Sequence, residues 1–184
     1  MRKEDAYILA ITGGVLGVAA LLTTRRPSAN TRRDQVTASW AALEYGYWEQ
    51  FTPPPRIYRN AKRIAQAIYE PLYQALPGQM IINSWYRSPR VNTSVGGSKN
   101  SDHLEANAID IRYHVNGQMR NDILSQEVIR LGLPFKQMIL ENGTYNRPEW
   151  VHLSYVPGEN YKQILRKTGD DYTPLTEWNV LLLS

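Results

Sequence analysis

Between Asp5 and Arg25 the chain runs for nineteen residues without a charge, AYILAITGGVLGVAALLTT, and that run divides it in two. A helix needs roughly 20 apolar residues to cross a bilayer core of about 30 Å. Residues 6–24 are therefore expected to form one transmembrane helix, with residues 1–25 as an N-terminal anchor. A cleaved secretory signal and a buried soluble helix are the competing readings. A signal needs a positive amino end and a small-residue cleavage site, whereas MRKED is charge-balanced and Arg25-Arg26 follow the run. Gly13 and Gly17 form a GxxxG pair, smooth enough for a partner helix to pack on. Arg25, Arg26, Arg32 and Arg33 lie beyond the run, and the positive-inside rule then favours the main domain on the cytoplasmic side.

Residues 26–35 read as a polar linker, residues 36–156 as one folded domain, and residues 157–184 as a C-terminal extension. The net charge of +4 with pI near 9.3 would raise nucleic-acid binding if it were spread over the domain. The first 40 residues carry +3 of it, which leaves +1 for the rest, so no nucleic-acid partner is expected. Cysteine is absent, which removes a disulfide framework, a thiol nucleophile and a cysteine-built zinc site. Any metal must be held by histidine and carboxylate.

Within the domain, TASWAALEYGYWEQF is a short helical or irregular segment closed by Pro53-Pro54-Pro55. From Ile57 to Leu76, apolar residues recur at helical spacing, with Pro71 as a kink and Pro77-Gly78 as the stop. QMIINSWYRS reads as a strand, PRVNTSVGGSKNS as a loop, and NAIDIRY as an alternating strand that puts Asp110 opposite in face to Ile109 and Ile111. A helix over 121–131 leads to FKQMILE, a turn, and the strand EWVHLSY. Tyr161 to Lys167 reads as a helical turn, and WNVLLLS as an apolar end that docks on the domain or on a partner. Helices and strands are mixed, with strands clustered in the second half, so the fold class is α+β.

Three histidines are available. His103, Asp110 and His152 make a set of the kind that zinc hydrolases use, three protein ligands with a fourth position left for water. His114 lies four residues beyond Asp110 on the same strand, roughly 13 Å away, too far to share an ion with it; it reads as a surface or structural residue. Glu149 is the candidate base, but positions 149 and 152 of a strict strand point to opposite faces, so its carboxylate has to enter from the bend at Pro148 or through a bulge. Taken alone, EWVH is equally a rim carboxylate beside a tryptophan.

Together, SWYRSPRVNTSVGGSKNSDHLEANAIDI and EWVHLS resemble the zinc D-alanyl-D-alanine carboxypeptidases, the M15 peptidases, whose fold is shared with the amino-terminal domain of Hedgehog proteins. Ser84 to Arg87, Asn92, Val95 to Gly97, Ser101, His103, Ala108, Asp110, Glu149, Trp150 and His152 match the family pattern in order. The resemblance implies a central antiparallel sheet with flanking helices, and Zn2+ held by His103, Asp110 and His152. It implies Glu149 as general base and acid, Arg87 on the developing oxyanion or a peptide carboxylate, and Ser101 and Trp150 at the substrate. The implied partner is the stem peptide of peptidoglycan. Ala106 stands where the family has glycine, which costs stability or shifts the loop if that position has positive φ.

Two classes of function follow. One is a membrane-anchored peptidoglycan peptidase, of carboxypeptidase or endopeptidase type, in a bacterial inner membrane or in the virion membrane of a bacteriophage. The other is a structural membrane or virion protein that keeps the peptidase fold as a binding module.

Overall fold

The computed structural model describes residues 32–183; the predicted span over residues 6–24, with Gly13 and Gly17, lies outside the described residues. Among the described residues no helix is long and apolar enough to cross a membrane.

Two short helices, α1 (Arg33–Thr37) and α2 (Trp40–Tyr45), and a 3-10 turn (Trp48–Phe51) open the domain. Ser39 starts α2 by accepting a hydrogen bond from the Ala42 amide, and Gly46 ends it in the left-handed conformation. The proline run starts the next helix rather than only closing the previous segment. Pro55 is the first residue of α3 (Pro55–Ile64), where its missing N–H costs nothing. The predicted helix over 57–76 is one continuous rod in three parts: α3, a π-helical segment over Ala65–Tyr69, and α4 (Glu70–Ala75). The wider π turn falls just before Pro71, where the proline removes an amide donor from the ladder.

Strand β1 (Gln79–Ser84) leads to α5 (Pro89–Ser94), which replaces the first part of the predicted loop. Ser88 caps α5 by accepting from the Val91 amide, and Pro89 follows at the first helical position, a local signal that the glycine-rich sequence downstream obscured. The chain continues through a 3-10 turn (Asp102–Glu105) to β2 (Ala108–Val115), β3 (Gln118–Met119), α6 (Asn121–Arg130), β4 (Gln137–Glu141) and β5 (Trp150–Ser154). Residues 161–167 are not a helical turn: β6 (Gln163–Thr168) and β7 (Asp171–Leu175) form a hairpin around Gly169-Asp170. Burial alternates along β6, with Ile164 and Arg166 inward. The helix α7 (Glu177–Leu181) closes the described chain, and its apolar end docks on the domain. Val180 and Leu183 are buried, and the Gln126 side chain of α6 donates to the carbonyls of Leu181 and Leu183.

The strands form one sheet in the order β1-β2-β5-β4-β6-β7, with β3 beside β2. The pairs are antiparallel except β4 with β6, which run parallel. The expectation of an antiparallel sheet is corrected there, because the chain crosses from β5 back past β4 before adding β6. One sheet face carries Ile109, Ile111, Tyr113, Met138, Leu140, Val151 and Leu153, which share a core with Ile57, Ile64, Ile68 and Leu72 of the long rod and with Leu124 and Val128 of α6. Each such Ile or Leu contributes about 1.5–3 kcal/mol by leaving water. Strand alternation sends Asp110, Ile139, Glu141, Trp150 and His152 to the opposite face, which helices leave open.

Candidate metal centre and cleft

His103 sits on the 3-10 turn, Asp110 in the middle of β2 and His152 in the middle of β5. Asp110 and His152 are cross-strand partners, and all three residues are buried. Ser101 starts the turn by accepting from the His103 amide at 3.3 Å. Ala106 ends it at φ 55°, the left-handed conformation that glycine takes freely and alanine with strain.

His103 Nε2, His152 Nδ1 and Asp110 Oδ1 form a triangle with edges of 2.8, 3.1 and 3.2 Å. Ligand bonds of a tetrahedral zinc put neighbouring ligand atoms about 3.3 Å apart, so the triangle already has the dimensions of one face of such a site. The proton inventory points the same way. His103 Nδ1 lies 2.5 Å from the Trp85 carbonyl, an acceptor only, so Nδ1 carries the hydrogen and Nε2 offers a lone pair. Burial pushes the His103 ring below its ordinary value of 6.5 even against the pull of Asp110, which keeps it neutral. Burial pushes the Asp110 carboxyl up, but His103 and His152 outweigh it and hold the group ionised well below the usual range. The His103 lone pair, the Asp110 carboxylate and the His152 ring nitrogen converge within one small triangle, and this donor set fits zinc.

Arg87 turns toward this cluster. A bulge in β1 between Ile82 and Ser84 brings Ser84 opposite Asp110. Arg87 Nε donates to Ser84 Oγ at 2.8 Å, and Nη2 donates to Asp110 Oδ2 at 2.5 Å. The guanidinium thereby fixes one carboxylate oxygen and leaves the other for the metal.

His103, His152 and Arg87 line a cleft of about 730 Å³, and the buried Asp110 carboxylate contacts all three. Ser101 and Trp150 also line it, as do Gly96, Gly97, Lys136, Glu141, Lys167 and Tyr172. Gly97 is required by packing: a Cβ there would stand 2.1 Å from Asn92 Oδ1, and Asn92 holds the loop through the Ser98 carbonyl and the Gly97 amide. Glu149 precedes the first paired residue of β5, which frees it from strict strand alternation. Its amide donates to the Glu141 carbonyl, and its own carbonyl accepts from Asn121 Nδ2 and Arg112 Nε. Its side chain is exposed and is not among the residues lining the cleft. His114 is away from the cluster, beside a separate groove with Gly78 and Gly117.

The sequence model of the Peptidase M15 family matches residues 32–154, about two thirds of the chain. The chain belongs to the peptidase M15 family. No curated protein matches it. An M15 peptidase is a zinc-dependent metallopeptidase, with peptidoglycan peptides as the substrates of the family, and the His103-Asp110-His152 cluster of this one is a site that can bind the metal.

Three contributors to this M15 site were missed in the sequence. Trp85 supplies the carbonyl that sets the His103 tautomer. Buried Gln50 donates to the carbonyls of Thr37 and Tyr86 and accepts from the Ser88 amide, tying the opening helices to the Arg87 segment. Asn121 fixes the Pro148–Glu149 backbone. Each acts through backbone groups far along the chain, and single polar residues at such spacings carry no motif.

Proposed function

We propose that the chain is a zinc-dependent peptidoglycan peptidase that hydrolyses stem peptides of the bacterial cell wall while anchored in a membrane by residues 6–24. The observation that carries the hydrolase reading is the buried His103-Asp110-His152 triangle opening on a cleft. Zinc bound there supplies Lewis acidity to a carbonyl oxygen and to water. Glu149, whose exposed side chain lies outside the cleft lining, turns its carboxylate inward from the head of β5, on a backbone held by Asn121, to take the proton from the attacking water and pass it to the leaving amine nitrogen. Arg87 keeps Asp110 in place and presents its Nη1, which makes no hydrogen bond among the described residues, to the developing oxyanion or a peptide carboxylate. Ser101 and Trp150 border the peptide in the cleft.

The membrane reading is supported by exposed aromatics in the first helices that follow the predicted span along the chain. Trp40 is 80% exposed and Trp48 67%, with Leu43 and Tyr45 between them, the residue types that favour a membrane–water interface. A virion membrane accommodates Arg25, Arg26, Arg32 and Arg33 on the domain side, since such an enzyme meets the wall only on infection.

The test uses the full chain in detergent, measuring metal content together with peptide or D-alanine release from purified peptidoglycan. About one zinc per chain is expected, with cleavage lost in Glu149→Ala while metal is retained. Zinc binding without cleavage of several wall chemistries would replace this reading with a binding module.

A further inference from the structure

Two of the metal ligands, Asp110 and His152, share one row across the sheet with Ile139, and a second row runs beside it: Trp150–Glu141–Lys167–Tyr172. All four residues of the second row line the cleft. The rows are two residues apart along the strands, about 7 Å, and the strands are about 4.8 Å apart. A peptide whose scissile bond lies over the metal row therefore has a neighbouring side chain within reach of the second.

That row contains an ion pair. Lys167 Nζ lies 3.2 Å from Glu141 Oε2 and 5.5 Å from the centre of the Tyr172 ring. The two charged side chains are 28% and 12% exposed, and burial lowers the Lys167 pKa less than Glu141 and Tyr172 raise it. The other cleft-lining charges are committed elsewhere. Arg87 is bound to Asp110, and Lys136 pairs with Asp102 and Glu159.

We propose that Glu141 and Lys167 form a subsite for a side chain ending in both an ammonium and a carboxylate, as in a diamino dicarboxylic acid of the stem peptide. The proposal rests on the peptidase reading above and names the substrate class of that site. A ligand carrying only an ammonium has to draw Glu141 from Lys167, leaving a partly buried lysine without its counter-charge. A ligand carrying only a carboxylate draws Lys167 away and strands Glu141 in the same way. A zwitterionic end meets both at once, ammonium to Glu141 and carboxylate to Lys167, and every charge stays paired. Trp150 and Tyr172 bracket the pair and offer apolar surface to the methylene stem of such a side chain.

The experiment compares three synthetic stem peptides that differ only at this residue: the diamino dicarboxylic acid, the same residue with its side-chain carboxyl amidated, and lysine. With the full chain in detergent, kcat/KM for the first is expected to exceed the other two by about tenfold, mostly through KM. In Glu141→Gln and Lys167→Met the ratio falls towards one. Affinities measured by calorimetry on the unaltered, metal-loaded chain give a second readout that needs neither turnover nor a variant, and the same order is expected. Equal kcat/KM and equal affinity for all three peptides overturn the subsite while leaving the peptidase standing. Absence of cleavage of every peptide overturns the peptidase reading instead, and the order of affinities still decides the subsite.

Discussion

Asn121 offers the most direct test of how the fold holds the proposed base. Its buried amide makes three bonds: Oδ1 accepts from the Tyr113 amide at 2.7 Å, and Nδ2 donates to the carbonyls of Pro148 at 2.9 Å and Glu149 at 2.8 Å. Asn121→Ala removes all three. The Glu149 carbonyl keeps Arg112 Nε at 3.2 Å, so the groups that lose this partner in a buried setting are the Tyr113 amide and the Pro148 carbonyl. At roughly 1–3 kcal/mol for each unpaired buried group, the expected destabilisation is about 3 kcal/mol. Asn121→Asp keeps the acceptor for Tyr113 but turns a carboxylate toward two carbonyls, so it is expected to be at least as damaging. Urea unfolding measures the stability, and peptide cleavage with metal analysis measures the site. The expected result is a lower kcat with metal content retained, since no metal ligand touches Asn121. A loss below about 0.5 kcal/mol with unchanged kcat would refute the argument that this amide positions Glu149.

Asp110→Asn is expected to abolish stoichiometric metal and also to destabilise the metal-free chain by about 2–3 kcal/mol, because Arg87 loses its carboxylate partner; metal analysis and denaturation midpoints check both. Acidification is expected to destabilise the metal-free protein. Unfolded His103 takes up a proton near 6.5 while the buried ring does so only at lower pH, so stability falls as pH drops through that value, and Asp110 adds a further loss below about pH 4. Urea midpoints in chelator at successive pH values test the sign, and a midpoint that rises on acidification contradicts it. Ala106→Gly releases left-handed strain of about 1–2 kcal/mol, offset by a lost buried methyl of about 0.8 kcal/mol and by the freer unfolded glycine at about 0.5–1 kcal/mol. The net change in unfolding free energy is expected to stay within about 1 kcal/mol, and a shift above about 2 kcal/mol in either direction would show that the loop is held otherwise.

The residues of the metal triangle were legible because their chemistry is carried by residue type. With three histidines and no cysteine, His103, Asp110 and His152 were the set to consider, and alternation along NAIDIRY set the face of Asp110 opposite to that of Ile109 and Ile111. The long helix from Ile57 to Leu76 and the strand-rich second half were equally plain from periodicity. The closing hairpin was not: QILRKT carries charge on both faces, Lys167 on one and Arg166 on the other, because Arg166 is buried against the carbonyls of Leu140, Asn142, Thr144 and Lys167, and an inward arginine disguises a strand. The helix after Ser88 was hidden by the glycines that follow it.

What the sequence determined by itself were the local commitments: apolar periods, proline breaks and the donor types available for a metal. These depend on neighbours within a few residues, so the order of the chain is enough to read them. Tertiary structure alone decided that Trp85 sets the tautomer of His103, that Arg87 holds Asp110, that Asn121 pins Glu149, and that Glu141 and Lys167 stand in the row beside the ligands. Each of these is a contact between residues brought together by strand pairing or by packing, and a hydrogen bond or ion pair is fixed by separation in space, which the spacing along the chain does not record.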